Sequence, residues 1–503
     1  MTSCNWRRAW CNDIKSIKNL ANLCFFAIKD NKLNDIDSLR NLFRLEYLDL
    51  GFNDIKELEP IQYLINLTHL DLSFNQINDI AIISKLNNLK FLDLSKNSIG
   101  NIISLSNLTD LTYLDLKMNY INDVRVIFKF NNLNYLSFRD NKIKNIDGIA
   151  NIKEHIFHLE IGNNLINDQI DFIKDMKKLS RLDFKNSNIS KIEILENLSN
   201  LEYLNLENNK INDLKPLEKL IKLNNLWLSN NKIINIDSLG NLIKLKVLHL
   251  DYNQIKNISS INRLSKLVGF TITNNLIDNI DSIANLTELN TLDLSYNQIN
   301  YIGSLENLIN LQHLGLNHNN IKDISCLIKL SKLNILQLRN NQIKSIDLYL
   351  KGLKFLTRLE LSFNFIENID CLSEMIYLKY LNVRNNNIID IDFIVSNWFA
   401  NLEKIEIDHN PIVSHRSKFK IVNKLKYAFI NLDDAMIFNQ YNNQRLKKRA
   451  FFSFFESFYI ITNDNLNYLN CNLTISYLRK NVLFNLYYHY QIDQFISTCK
   501  LNF

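Results

Sequence analysis

The residues able to do chemistry in this chain recur at a fixed interval instead of gathering at one place. Tyr47, His69, Phe91, Tyr113 and Tyr135 stand 22 residues apart, and two positions after each of the first four comes a carboxylate: Asp49, Asp71, Asp93 and Asp115. Rings and carboxylates paired in this way describe a repeated recognition surface. Rings supply contact area, and carboxylates attract a basic surface. Catalytic spacings are absent. The nine histidines form no HExxH and no His/Cys cluster at metal-ligand spacing, and there is no GxxxxGK[ST] or GxGxxG to cradle a phosphate. The expectation is a protein that is not an enzyme and needs no cofactor or metal.

Composition sets the frame. The 503 residues are 46% hydrophobic and 22% charged, with only 9 Gly and 3 Pro, so the chain is globular and lacks Gly/Pro-rich linkers. Its net charge of +6 is uneven: from Ile412 onward there are 12 Lys/Arg against 5 Asp/Glu. No secretory signal and no apolar run long enough to span a bilayer is seen. The seven cysteines are scattered, odd in number and form no CxxC pair, as expected of reduced thiols. These features predict a cytoplasmic protein, with nuclear or non-classically secreted locations left open.

What positions the rings is a repeat. "LTHLDLSFNQINDI" at Leu67 to Ile80 returns as "LNTLDLSYNQINYI" at Leu289 to Ile302. Eighteen such units run from position 31 to position 410, at 22-residue steps stretched to 23 three times and to 24 at the last. Seventeen carry Asn at the same place, and Ser187 is the exception. The leucines of L-x-L alternate with polar residues, as in a short strand with one buried face. Ile77, Ile80, Ile83, Leu86 and Leu89 then return at threefold spacing, which suits 3₁₀ or short helical turns. The Asn can donate and accept at once, so stacked coils predict a structural ladder of Asn53, Asn75, Asn97, Asn119, Asn141, Asn209, Asn231, Asn253 and Asn297. The steps around Ser187, whose side chain is shorter, predict a local irregularity between Asn164 and Asn209.

This is the pattern L-x-x-L-x-L-x-x-N-x-L, and the chain resembles leucine-rich repeat proteins of the 22-residue type. Its units are similar to those of the protein phosphatase 1 regulatory subunit and of internalins. The resemblance implies an α/β solenoid: a horseshoe of about 18 coils over residues 1–410, with a concave parallel β-sheet and a partial opening repeat before Asn31. "NPIVSHRSKFKIVNKLKYAFINLDD" resembles the C-terminal cap of intracellular members, through Pro411, Arg416, Phe419, Leu425, Leu432 and Asp433, with His415 where Tyr is usual. The cap is placed at 411–435. Residues 436–503, with Arg445, Lys447, Lys448 and Arg449 ahead of "AFFSFFESFYII", are expected to form a basic, aromatic helical tail against the last coils.

On such a horseshoe, strand alternation turns the residues six, four, two and one before each Asn toward the inner face. The aromatic column and the acidic column would then lie side by side. Asp is common at its position in this repeat type whatever the ligand, so the rings carry more of the argument. The expected function is a scaffold, monomeric, holding a protein with a basic, partly apolar docking surface on Tyr47, Asp49, His69, Asp71, Phe91, Asp93, Tyr113, Asp115 and Tyr135. It would be a phosphatase-regulator-like subunit or, alternatively, an internalin-like or effector-type protein of a pathogen or symbiont. Nucleic acid is not expected on an acidic face. Membrane contact through the tail is a lesser reading.

Overall fold

The computed structural model describes residues 3–8, 12–390, 401–412 and 429–431. Twenty three-residue strands form one sheet, each parallel to the next in sequence, from Ser3–Asn5 through Phe25–Ala27 and Tyr47–Asp49 to Lys404–Glu406 and Phe429–Asn431. The first and last strands do not pair with each other, so the sheet is an open solenoid. The register is that of the repeat: Leu48 opposes Leu70, and Leu70 opposes Leu92. Most of the cap, and all of the tail, lie outside the described residues, as does the segment 391–400.

Each coil closes around its own apolar set. Leu45, Leu48, Leu50, Ile55, Ile61 and Leu64 are fully buried, as are their equivalents along the array. The outer layer is 3₁₀ and not α: sixteen helices of three to six residues, with no α-helix among the described residues. The threefold spacing dictates this. At three residues per turn, every third side chain eclipses the one before, so Leu58, Ile61 and Leu64 all point inward. The polar residue of "I-x-D-I" caps these turns. Asp79 Oδ1 accepts the Ala81 N–H at 2.8 Å, and Asp213 Oδ1 accepts that of Lys215 at 2.8 Å.

The predicted ladder is present. Asn75 Nδ2 lies within donating reach of three carbonyls, Leu72 and Ser73 of its own coil and Leu50 of the coil before, at 3.0–3.1 Å. Its Oδ1 accepts the Ile55 N–H at 3.0 Å. Asn53, Asn97, Asn119, Asn231 and Asn297 repeat this set. The chain turns sharply to bring each Asn inward, and the residue before it is left-handed in every coil. Its φ is 53° at Phe74, 55° at Met118 and 54° at Tyr252. A non-glycine side chain costs on the order of 1 kcal/mol there.

Ser187 breaks the pattern. Its hydroxyl reaches only Lys185 O, at 3.3 Å, and no side chain bridges to the Ile166 N–H among the described residues. Two further asparagines, Asn167 and Asn188, turn left-handed in these coils. They bond to each other at 2.6 Å, while Asp168 accepts the Ser190 and Lys191 N–H groups at 2.6 and 3.1 Å. The expected irregularity is therefore a rearranged turn in which side chains bonded between adjacent coils replace the missing rung.

Asn119→Ala strips four hydrogen bonds from buried backbone groups. We predict a loss of about 2–4 kcal/mol of stability. Lys90→Ala, at an exposed strand-flanking position, changes it by less than about 0.5 kcal/mol. Urea unfolding of the two variants checks this, and equal midpoints would contradict the ladder's role.

Candidate protein-interaction face

The strands hold the six-before column in register, and its rings stack face to face. Phe25, Tyr47, His69, Phe91, Tyr113 and Tyr135 have successive centroids 4.3, 4.1, 3.9, 4.2 and 4.1 Å apart, with ring planes within 14° of parallel. The stack ends at His158, 4.4 Å from Tyr135 but tilted by 58°. Arg181 then lies over Tyr203 at 3.8 Å. Each ring is half-buried because its faces are covered by its neighbours. The inner face therefore presents ring edges and the Tyr47, Tyr113 and Tyr135 hydroxyls. Burial pushes the His69 imidazole below its ordinary value, so it sits in the stack as a neutral ring.

The acidic column is placed differently from the sequence expectation. Asp49, Asp71 and Asp115 do not line an open strip: they are 1%, 8% and 0% exposed. Each carboxylate folds back to accept the backbone N–H two residues on, Gly51, Ser73 and Lys117, at 2.9–3.1 Å. A cation of this chain covers the other oxygen: Arg7 on Asp49 at 3.0 Å, Lys29 on Asp71 at 3.0 Å, Lys117 on Asp115 at 2.8 Å. What a partner meets above these carboxylates is lysine and arginine. Asp93 is the exception. It accepts the Ser95 N–H at 2.9 Å and has no cation paired to it among the described residues. Burial, then the neighbouring Asp115 charge, pushes its carboxyl up to about 6.

Sequence reasoning missed a second aromatic row. Phe52 and Phe74, each just before a ladder Asn, stack at 3.7 Å, with Lys96 4.0 Å over Phe74. Tyr252, Tyr296 and Phe363 hold the same place further on and are exposed. The signal was available: in seven coils, from Asn163 to Asn385, this left-handed position is Asn, which tolerates it best. A large apolar residue there is kept against the backbone's preference. Among the described residues no group of three His, Cys, Asp or Glu is placed to hold a metal, and no helix is long and apolar enough to cross a membrane.

Asp93 sets a pH dependence. Its folded pKa of about 6 lies above the usual carboxylate value, so the folded state binds the proton more tightly than the unfolded state. The contribution favours folding at low pH and is lost as pH rises from about 4 through 6. The neutral Asn205, in the same column, already makes the equivalent bond to Glu207 N at 3.1 Å. Asp93→Asn should stabilise the protein by roughly 1–2 kcal/mol at pH 7 and much less at pH 4. Melting at both pH values checks this, and an equal shift at the two would contradict it.

Comparison with known proteins agrees with the geometry. The family model described as "Leucine-rich repeat region" matches residues 164–453, and that described as "Leucine Rich repeats (2 copies)" matches 43–86 and 65–109. No curated protein matches the chain. Among solved structures, a leucine-rich repeat protein of Leptospira interrogans is 23% identical, with a TM-score of 0.61 over 84% of this chain and 99% of that one. The functional domain of InlJ from Listeria monocytogenes is 23% identical, with a TM-score of 0.55 over 74% and 75%. The Arabidopsis receptor kinase HAESA, solved with the peptide hormone IDA and the co-receptor SERK1, is 20% identical, with a TM-score of 0.62 over 80% and 77%. At these identities the likeness is one of fold. With the repeat, the Asn ladder and a family match over more than half its length, the chain belongs to the leucine-rich repeat family.

Proposed function

We propose that this protein is a non-enzymatic scaffold that holds a protein partner on the inner face of its N-terminal half. The observation that carries the reading is the six-ring stack from Phe25 to Tyr135, with Phe52 and Phe74 flanking it in the same coils. Rings fixed by neighbours on both sides lose little entropy on binding, and aromatic anchors dominate interface energetics. The docking site comprises Tyr47, His69, Phe91, Tyr113 and Tyr135, with Asp49, Asp71, Asp93 and Asp115 serving mainly to seat the strands and, at Asp49, Asp71 and Asp115, to hold the cations above them.

The partner's contact with the ring stack is apolar. A basic contact with Asp49, Asp71 or Asp115 would have to displace Arg7, Lys29 or Lys117 from ion pairs already made. Phosphatase-regulator and pathogen-effector readings share this face and differ in whom it holds.

Tyr113→Ala and Tyr135→Ala should each weaken binding of the purified partner by roughly 1–4 kcal/mol, the range of interface hot spots. Ile309→Ala, exposed in an outer return segment, should not change it. Partner capture from native extract, followed by titration calorimetry with folded variants, is the test. Wild-type affinity in both ring variants, with loss in Ile309→Ala, would place the site elsewhere.

A further inference from the structure

The carboxylates of the inner face are not all covered. From the coil of Asn231 to that of Asn319, the inward columns contain Asp251 and Asp293 but no Lys or Arg. Both are partly exposed, unlike Asp49 or Asp115. Their hydrogen-bond partners among the described residues are neutral. Asp251 accepts from Thr271 Oγ1 at 2.6 Å, Ser229 Oγ at 3.2 Å and Thr273 N at 2.7 Å, and Asp293 from Ser295 N at 3.0 Å. Hydroxyl and amide dipoles hold these charges.

The same coils form a depression. Short side chains at Gly269, Thr271 and Thr291 follow the large Tyr203 and Trp227, leaving a cavity of about 520 Å3 lined by Lys185, Glu207, His249, Asp251, Tyr252 and Asp293 among others. Its margin is aromatic. Tyr252 is 60% exposed, and His249 stacks on Trp227 at 5.9 Å. Elsewhere on this face the chain itself shows what such a margin takes: the guanidinium of Arg181 lies 3.8 Å over Tyr203, and that of Arg358 4.3 Å over Tyr380.

We propose that this depression receives an arginine or lysine side chain of the bound polypeptide, between Asp251 and Asp293 and against Tyr252. Charge complementarity commits the site to a cation: Lys185, also on the cavity wall, is paired with Glu207 at 2.7 Å, which leaves Asp251 and Asp293 with no paired cation among the described residues and facing an open, ring-edged depression. The inference rests on the inner face being the docking face, and it places the partner's basic group in the middle of the array instead of on the N-terminal aspartates.

The test uses the full chain and a hexa-arginine peptide, with hexa-citrulline as the uncharged analogue, in titration calorimetry at low salt. The expected result is binding of the arginine peptide and at least tenfold weaker binding of citrulline. Asp293→Asn and Asp251→Asn should each weaken the arginine peptide at least fivefold, and Tyr252→Ala, at an exposed side chain that supports no core, should weaken it too. Glu57→Gln, which removes an exposed charge from the outer return segment, should leave it unchanged. Equal binding of both peptides, or wild-type affinity in Asp293→Asn and Tyr252→Ala, overturns the site. Because the peptide is supplied directly, that failure is separable from the docking reading: a partner still lost in Tyr113→Ala would leave the docking face standing without this cation site.

Discussion

The structure depends on satisfying backbone groups that every coil must bury. Where the chain leaves its strand and turns inward, carbonyls and an N–H face the core with no strand or helix partner, and an unsatisfied group there costs about 1–3 kcal/mol. One Asn per coil meets this need, donating to carbonyls of two coils and accepting an N–H from the coil before. A side chain that bonds both coils also fixes their separation and register. The rung is also kept across longer steps, at Asn164 and Asn364 after 23 residues and at Asn410 after 24, so the extra residues are absorbed outside it. At Ser187 the rung is missing, and the backbone reorganises around Asn167, Asp168 and Asn188.

Register set in the core is expressed on the surface. Neighbouring strands are spaced about 4.8 Å apart, yet the ring centroids from Phe25 to Tyr135 lie 3.9–4.3 Å apart. Side chains on the inside of a curved sheet converge, which brings rings on successive strands into stacking contact. The stack is then a rigid ridge of edges, and it gives the N-terminal half a surface unlike the small-residue floor around Gly269 and Thr271. One scaffold with uniform coils so carries two chemically distinct zones, written only in residues that the core does not constrain.

Much of this was legible in sequence. The Asn, the L-x-L alternation and the threefold return each name a backbone role, and the structure places those residues accordingly. The threefold spacing suited 3₁₀ or short helical turns, and the described turns are 3₁₀. Three features were not legible. Alternation showed that Asp49 and Asp71 leave the core side of the strand, but not that each carboxylate curls back onto the N–H two residues on. Two of the three covering cations come from 42 residues away, Arg7 for Asp49 and Lys29 for Asp71, and only the stacked coils bring them together. The left-handed turn at Phe52 and Phe74 could be suspected only from the Asn that fills that position elsewhere. The cap and the tail, read as a capping motif and a helical segment, fall almost wholly outside the described residues.

Native-state hydrogen exchange tests the central claim most directly. The amides of Ile55, Ile77 and Ile99 lie in irregular segments, and each has a ladder Asn Oδ1 as its acceptor. If the ladder is the constraint on which the solenoid rests, these amides exchange as slowly as those of the strands, while Ile166, beside the Ser187 rung, exchanges fast. Loop-like exchange at Ile55, Ile77 and Ile99, or protection at Ile166 equal to theirs, would contradict it.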